Sequence, residues 1–273
     1  MMIERVAVVG AGTMGSGIAA LLVMHGYQVD LFDPDAAALG RAEARVAKRT
    51  AADPTHTDRL TLHGDLPDAV RAADFVIEAA PEIIELKREL FAAIDGAAPA
   101  GAVLATNTSE LSVTYIAAAT SRPADVVGMH WFNPPERMQL IELVRGVRSS
   151  EAALTAARAV AETCGKTVVT VEDRQGFVTT RVVAALLLEG ARLLEEGVAT
   201  REDIDTAVRL GLNHPMGPLE LADYIGLDTV LFIADSMAQA YGDRFKAPMT
   251  LRRLVEAGRL GRKSGEGYYP SSD

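Results

Sequence analysis

The sequence predicts an α/β protein in two parts, an N-terminal doubly wound parallel sheet followed by an all-helical second domain. Three observations carry this expectation. A short apolar run, Val6 to Val9, passes through Gly10-Ala11-Gly12-Thr13-Met14-Gly15 into a helical run from Ile18 to Met24. As far as residue 171, strand-like segments alternate with helical ones, the pattern of crossover connections in a parallel sheet. From residue 172 to 273 only helical patterns remain.

The glycines explain why the first turn matters. Gly10 lets the chain leave the strand sharply, Gly12 lets a pyrophosphate approach the backbone, and Gly15 lets the helix pack on the strand. The first N–H groups of the helix, those of Thr13 and Met14, face an anion. A second strand, Gln28 to Phe32, ends in Asp33, about 20 residues on, where a carboxylate accepts from a ribose 2′-OH and repels a 2′-phosphate. No arginine follows Asp33 directly. The first domain therefore reads as Rossmann-like, with NAD rather than NADP as cofactor.

The remaining elements follow in order. Asp33-Pro34 starts a helix from Asp35 to Arg49, proline suiting a first turn. A polar loop, Asp53 to Asp58, leads to strands at Leu60–Leu62 and Asp74–Glu78. In the helix Glu82–Asp95, the residues Ile84, Lys87, Arg88 and Phe91 are spaced to give an apolar and a basic face. Strands at Ala102–Ala105, Asp125–Met129 and Ile141–Val144, the helix Glu151–Cys164 and the strand Thr167–Val171 complete the domain. Such sheets bind ligands at the carboxyl ends of their strands. Gly10, Asp33, Ser109 and His130 all fall at or just after expected strand ends and are expected to share one crevice.

In the second domain, Phe177–Glu196 reads as one long helix whose middle, Val182 to Leu188, is apolar on all sides and is expected to be buried all round. Further helices are expected at Glu202–Leu210, Leu219–Tyr241 and Leu251–Ala257, before a glycine-rich, basic tail from Gly258 to Asp273. About 100 residues make a small core, so a homodimer through this domain is expected to cover the apolar helix.

Composition narrows the function classes. The chain has 273 residues, 49% of them hydrophobic, and a formal net charge of −10. That charge argues against nucleic acid and anionic membranes as partners. Cys164 is the single cysteine, which fits a reducing, cytoplasmic setting. The first strand starts too early to leave room for a signal peptide, and the apolar runs fall short of the ~20 residues of a membrane span. No metal is expected.

The candidate chemistry lies in Gly128-Met129-His130-Trp131-Phe132-Asn133-Pro134-Pro135, with Glu142 twelve residues after the histidine. Two strands joined by a loop would set Glu142 beside His130. A carboxylate on one imidazole nitrogen fixes the tautomer and leaves the other nitrogen to accept a proton, which is what removing a hydroxyl proton during hydride transfer requires. The same two residues also fit a core histidine beside a surface glutamate.

With these stretches together, the chain resembles the L-3-hydroxyacyl-CoA dehydrogenase family, on the side of its single-function 3-hydroxybutyryl-CoA dehydrogenases. The resemblance covers nearly the whole chain. It is carried by Gly10–Gly15, Thr106-Asn107-Thr108-Ser109, His130-Trp131-Phe132-Asn133-Pro134, Asn213-His214-Pro215-Met216-Gly217-Pro218 with Leu219 to Asp223, and Gly261-Arg262-Lys263-Ser264-Gly265-Glu266-Gly267-Tyr268-Tyr269. It implies an acyl-CoA substrate, with His130 as base, Glu142 as its orienting carboxylate, and Ser109 touching both the reacting oxygen and the nicotinamide. It implies cofactor contacts from Asn107, Asn133, Glu82, Lys87 and Lys263. Ser109 also fits a helix N-cap, Glu82 and Lys87 a solvated helix face, and Lys263 a plain tail charge.

Two departures bear on the substrate. Thr180 replaces an asparagine that reaches the substrate in relatives, and threonine has less reach. The segment from Asp35 to Leu60 is compact and has Lys48 as its one lysine, where many relatives carry a longer, lysine-rich arm that grips CoA. Two rival functions follow: a dehydrogenase of a free 3-hydroxy acid on the same fold, and a non-catalytic dinucleotide-binding protein of the crystallin type. A pair like His130 and Glu142 argues against the second. The 6-phosphogluconate-type dehydrogenases use a catalytic lysine in the second domain, and none is well placed here.

Overall fold

A computed structural model describes residues 3–51 and 54–270. Asp53, in the polar loop, and the last three tail residues lie outside the described residues. The chain forms two compact units, divided after Phe177.

The first unit alternates strands and helices: β1 (Arg5–Val9), α1 (Thr13–Met24), β2 (Gln28–Phe32), α2 (Ala36–Thr50), β3 (Leu60–His63), α3 (Leu66–Val70), β4 (Phe75–Glu78), α4 (Ile84–Ala97), β5 (Val103–Thr106), α5 (Val113–Ala117), β6 (Val126–Trp131), β7 (Leu140–Arg145), α6 (Glu151–Thr163) and β8 (Thr167–Glu172). The strands make one sheet in the order β3-β2-β1-β4-β5-β6-β7-β8. Every neighbouring pair is parallel except β6 and β7, which run antiparallel. The central strands β4, β5 and β6 are buried along their whole length. Helices on both faces explain their unbroken apolar runs. The chain moves outward from β1 through β2 to β3 and then returns to β4 on the other side of β1. That reversal opens a crevice at the carboxyl ends of β1 and β4.

The second unit is helical: α7 (Thr179–Glu195), α8 (Arg201–Gly211), α9 (Pro218–Ile225), α10 (Leu227–Tyr241) and α11 (Met249–Glu256). Two expectations are corrected here. The stretch expected as one helix from Leu219 to Tyr241 is two, because Gly226 takes φ +105, a conformation that no helix contains and that favours glycine. The middle of α7 is not buried all round. Ala184, Leu187, Leu188 and Ala191 face the unit's core, while Val182 is 64% exposed. Two carboxylates join the tail and the helices. Asp205 accepts from the backbone N–H groups of Leu219 and Glu220 at the start of α9 and from the Tyr269 hydroxyl at 2.8 Å. Asp223 accepts from the N–H groups of Tyr268 and Tyr269.

Candidate active site

The end of β1 is shaped by the absence of side chains. Gly10 has φ +106, and a Cβ there would lie 2.8 Å from the Ala79 carbonyl oxygen, on the loop after β4. A Cβ on Gly15 would lie 1.7 Å from the Gly10 carbonyl, so α1 can approach the strand end only without one. Gly12 differs: a Cβ there would meet no atom within 4 Å. Its open side is therefore room above the helix start rather than a packing need. Gly12 caps α1 without a side-chain hydrogen bond, which leaves the first-turn N–H groups, those of Thr13 and Met14 among them, for an anion. The Asp33 carboxylate accepts from the Ala11 N–H at 2.8 Å and from the Asp35 N–H at 2.9 Å. It thus ties the second strand end to the glycine loop, and a carboxylate keeps capacity for a further donor.

The ends of β4 and β5 are made instead by buried charge. Lys87 is fully buried, with its ammonium 2.7 Å from Glu78, 3.2 Å from the Ala80 carbonyl and 3.4 Å from Glu82. The expectation of a basic face on α4 that includes Lys87 is therefore corrected. Ile84, Lys87, Phe91 and Ile94 are spaced three and four apart, and this is the helix's inward face. Lys87 holds Glu78 and Glu82 rather than presenting a free charge to solvent. Glu78 also accepts from Thr106 Oγ1 at 2.7 Å and from the Ala80 N–H at 2.6 Å. Glu82 Oε1 accepts from Thr108 Oγ1 at 2.5 Å and from the Ser109 N–H at 2.8 Å. Glu82 thus organises the loop on which Ser109 stands exposed. Ser109 is not a helix cap: Ser112 caps α5, accepting from the Tyr115 N–H.

His130 and Glu142 sit directly opposite one another on the antiparallel strands β6 and β7. The histidine is the fifth residue of β6 rather than the residue after it, which corrects the expected strand end. Side chains opposite each other on neighbouring strands point to the same face. His130 Nδ1 lies 2.8 Å from Glu142 Oε2, with His130 6% exposed and Glu142 fully buried. A carboxylate only accepts, so Nδ1 carries the hydrogen and Nε2 keeps its lone pair. The rings of Phe132 and Phe177 lie 4.3 and 6.0 Å from the imidazole, centre to centre. Asn107, after β5, accepts from the Trp131 N–H through its side-chain oxygen at 2.9 Å, and so locks the strand beside His130.

Asn133 is exposed and precedes a cis proline. The loop that carries it is held by Lys166, whose ammonium donates to the Pro135 carbonyl at 2.6 Å and the Met138 carbonyl at 2.9 Å. Arg49 of α2 pairs with Glu136 in the same loop at 2.8 Å. In the second unit, Lys263 pairs with Asp228 at 2.5 Å inside a folded tail, where Gly261 bridges to Glu266 and Glu266 to Pro270. Thr180 is buried in the first turn of α7. Among the described residues no group of His, Cys, Asp and Glu is placed to hold a metal, and no helix is long and apolar enough to cross a membrane.

Comparison with known proteins decides the family. The sequence pattern of the NAD-binding domain of 3-hydroxyacyl-CoA dehydrogenase matches residues 5–174, and that of its C-terminal domain matches residues 176–271. The chain belongs to the 3-hydroxyacyl-CoA dehydrogenase family. It is 42% identical to a probable 3-hydroxybutyryl-CoA dehydrogenase of Bacillus subtilis and 43% identical to a 3-hydroxybutyryl-CoA dehydrogenase of Mycobacterium tuberculosis, each over 98% of both chains. The crystal structure of (S)-3-hydroxybutyryl-CoA dehydrogenase from Ralstonia eutropha superposes with a TM-score of 0.96 at 39% identity, over all of both chains.

This 3-hydroxyacyl-CoA dehydrogenase is an NAD-dependent oxidoreductase, and its first unit fits that cofactor. Gly12 leaves a cradle that a Cβ would enter, the start of α1 offers N–H groups, and Asp33 closes the second strand with a negative charge. Sequence reasoning about the dehydrogenase missed Glu78, Thr108, Glu110, Arg49 and Lys166. A signal existed for one pair: Glu78 ends a strand at the reversal of strand order, and Lys87 has the spacing of a core residue. The others act through backbone or through loops, for which no sequence spacing speaks.

Proposed function

We propose that this dehydrogenase interconverts a short 3-hydroxyacyl-CoA, 3-hydroxybutyryl-CoA being the first candidate, and the matching 3-oxoacyl-CoA, with His130 as the acid–base residue. The observation that carries the reading is the 2.8 Å contact from His130 Nδ1 to the buried Glu142. NAD, when bound, supplies the hydride acceptor for C3. His130 Nε2 takes the 3-hydroxyl proton during oxidation and returns it during reduction. Glu142 holds the tautomer and stabilises the imidazolium. Ser109 and Asn133 position the reacting oxygen and the nicotinamide. Gly10, Gly12, Thr13, Met14, Gly15 and Asp33 hold the dinucleotide, with Asn107, Glu82 and Lys87 supporting it. The names of the relatives support CoA as the carrier.

The same reading includes a homodimer and a cytoplasmic setting. Val178, just before α7, and Val182 within it are more than half exposed, and a second copy would cover them. The buried thiol of Cys164, pushed up to about 12 by burial, is inert toward oxidation.

The test is the NADH-dependent reduction of acetoacetyl-CoA by wild-type and His130→Ala protein. The variant should lose roughly 10²–10⁴-fold in kcat while its NADH affinity holds. Near-normal turnover by folded His130→Ala protein would remove His130 from the chemistry. Free acetoacetate reduced as fast as acetoacetyl-CoA would replace the CoA ester by the free acid.

A further inference from the structure

One acidic group in the first unit has no task in this reading. Glu110, the residue after Ser109, is 2% exposed, and neither of its carboxyl oxygens has a hydrogen-bond partner among the described residues. Its backbone N–H points 3.3 Å from Glu82 Oε1, the oxygen that also accepts from Thr108 and Ser109. Glu110 and Ser109 therefore hang on the same carboxylate.

The charged groups around this loop come from three directions. Glu82 lies in the segment before α4. Lys87 of α4 is 3.4 Å from the other oxygen of Glu82 and 2.7 Å from Glu78 of β4, so its single charge already serves two carboxylates. Asp173, after β8, holds the first turn of α5 through Ser112 Oγ and the N–H groups of Val113 and Thr114. None of these brings a cation to Glu110. A carboxylate buried without a partner is strongly disfavoured and takes a proton instead. Burial first, and the nearby Glu82 second, push the Glu110 carboxyl up to about 7.

We propose that Glu110 is a positioning residue: as a neutral carboxylic acid it leaves Glu82 to hold Thr108 and Ser109, and on losing its proton it repels Glu82 and loosens that anchor. The inference rests on the reading of Ser109 and Asn107 as cofactor contacts. It gives the site a titration of its own, separate from that of His130. The loop is ordered below about pH 7 and loosens above it. A neutral Glu110 is the form that holds, so affinity is lost as the pH rises.

NADH affinity measured by fluorescence between pH 6 and 8.5 tests this on wild-type protein and on Glu110→Gln. Wild-type affinity should weaken with rising pH, about tenfold for each pKa unit by which binding shifts the titration. Glu110→Gln, whose amide cannot ionise, should keep its pH 6 affinity throughout. Hydrogen exchange of the amides from Thr108 to Leu111 in wild-type protein, corrected for intrinsic rates, should lose protection over the same interval and needs no variant. Equal weakening in both proteins, a flat wild-type profile, or unchanged protection would overturn the proposal. The role of His130 is read in turnover and that of Glu110 in binding, so either can fail while the other stands.

Discussion

At the end of β1, Gly10, Gly12 and Gly15 leave the backbone to form the glycine loop. At the ends of β4 and β5, the loop bearing Ser109 is formed by Glu78, Glu82, Lys87 and Thr108, all but Glu82 fully shielded from solvent or nearly so. The first region depends on space. Its oxygens and N–H groups are fixed by helix and strand geometry, and an added methyl group either collides or fills the cradle. The second depends on charge balance. Two carboxyls, on Glu78 and Glu82, share one ammonium, on Lys87, and a third, on Glu110, has none. A backbone site fails by crowding and a charge site fails by losing a partner, so the two regions should respond to opposite kinds of substitution.

The largest expected effect is in the charged region. Lys87→Met keeps the length of the side chain and removes the ammonium, leaving Glu78 buried without its cation. Breaking a buried pair in this way costs about 3–5 kcal/mol. Urea unfolding should show the loss, and the double variant Lys87→Met with Glu78→Gln should recover part of it, because no uncompensated charge remains. A stability close to wild type in the single variant would mean that Lys87 is dispensable and that the comparison fails on this side.

A smaller and differently signed effect is expected at Gly12. Its Cβ would meet no atom within 4 Å, and its φ of −67° suits alanine. Gly12→Ala should therefore change stability by no more than about 1 kcal/mol. NADH affinity should fall, by roughly tenfold or more, since the methyl group enters the space that a pyrophosphate needs. Gly15→Ala should instead disturb folding itself, because its Cβ would lie 1.7 Å from a carbonyl oxygen. Equal stability losses at Gly12 and Gly15 would show that the open side of Gly12 is not a cradle.

The same division decides what is legible in the sequence. Glycine spacing is a local signal, so the loop from Gly10 to Gly15 and its partner Asp33 can be read from the order of residues alone. His130 and Glu142 are readable for a related reason: twelve residues is one strand, a loop and one strand, and the antiparallel register of β6 and β7 sets them opposite. Lys87 misleads when its charge is given more weight than its spacing, which is that of Phe91 and Ile94. The anchor of Ser109 on Glu82 spans 27 residues and the α4 crossover, and the brace of Lys166 spans 31. Neither leaves a periodicity. The exposed side of α7 escapes the sequence because an unbroken apolar run tells that a helix seeks cover, not which side one chain provides.

The smallest effects expected are in the pH dependence of stability, where the two ends of α4 should differ in sign. Near its last turn, Asp95 is partly buried, which alone would raise its carboxyl. The Ser121 backbone N–H at 2.6 Å and Arg122 Nε at 2.8 Å outweigh that and hold the carboxyl below its ordinary 3.8. The folded state thus favours the charged form, and the stability Asp95 contributes is complete above 3.8 and lost as the pH falls further. Near the start of the same helix, Glu110, in the loop after β5 that Glu82 holds, behaves in the opposite way. Its carboxyl rises from 4.5 to about 7, the folded state favours the neutral form, and stability falls as the pH climbs through that interval. Urea unfolding across pH 3 to 8 should show Asp95→Asn less stable than wild type by about 1 kcal/mol at neutral pH, with the gap closing below 3.8. Glu110→Gln should gain on wild type between pH 4.5 and about 7 and then run parallel to it. If both gaps moved in the same direction with pH, the far end of α4 and its crevice end would be electrostatically alike. The contrast between a paired carboxylate and a partnerless one would then be lost.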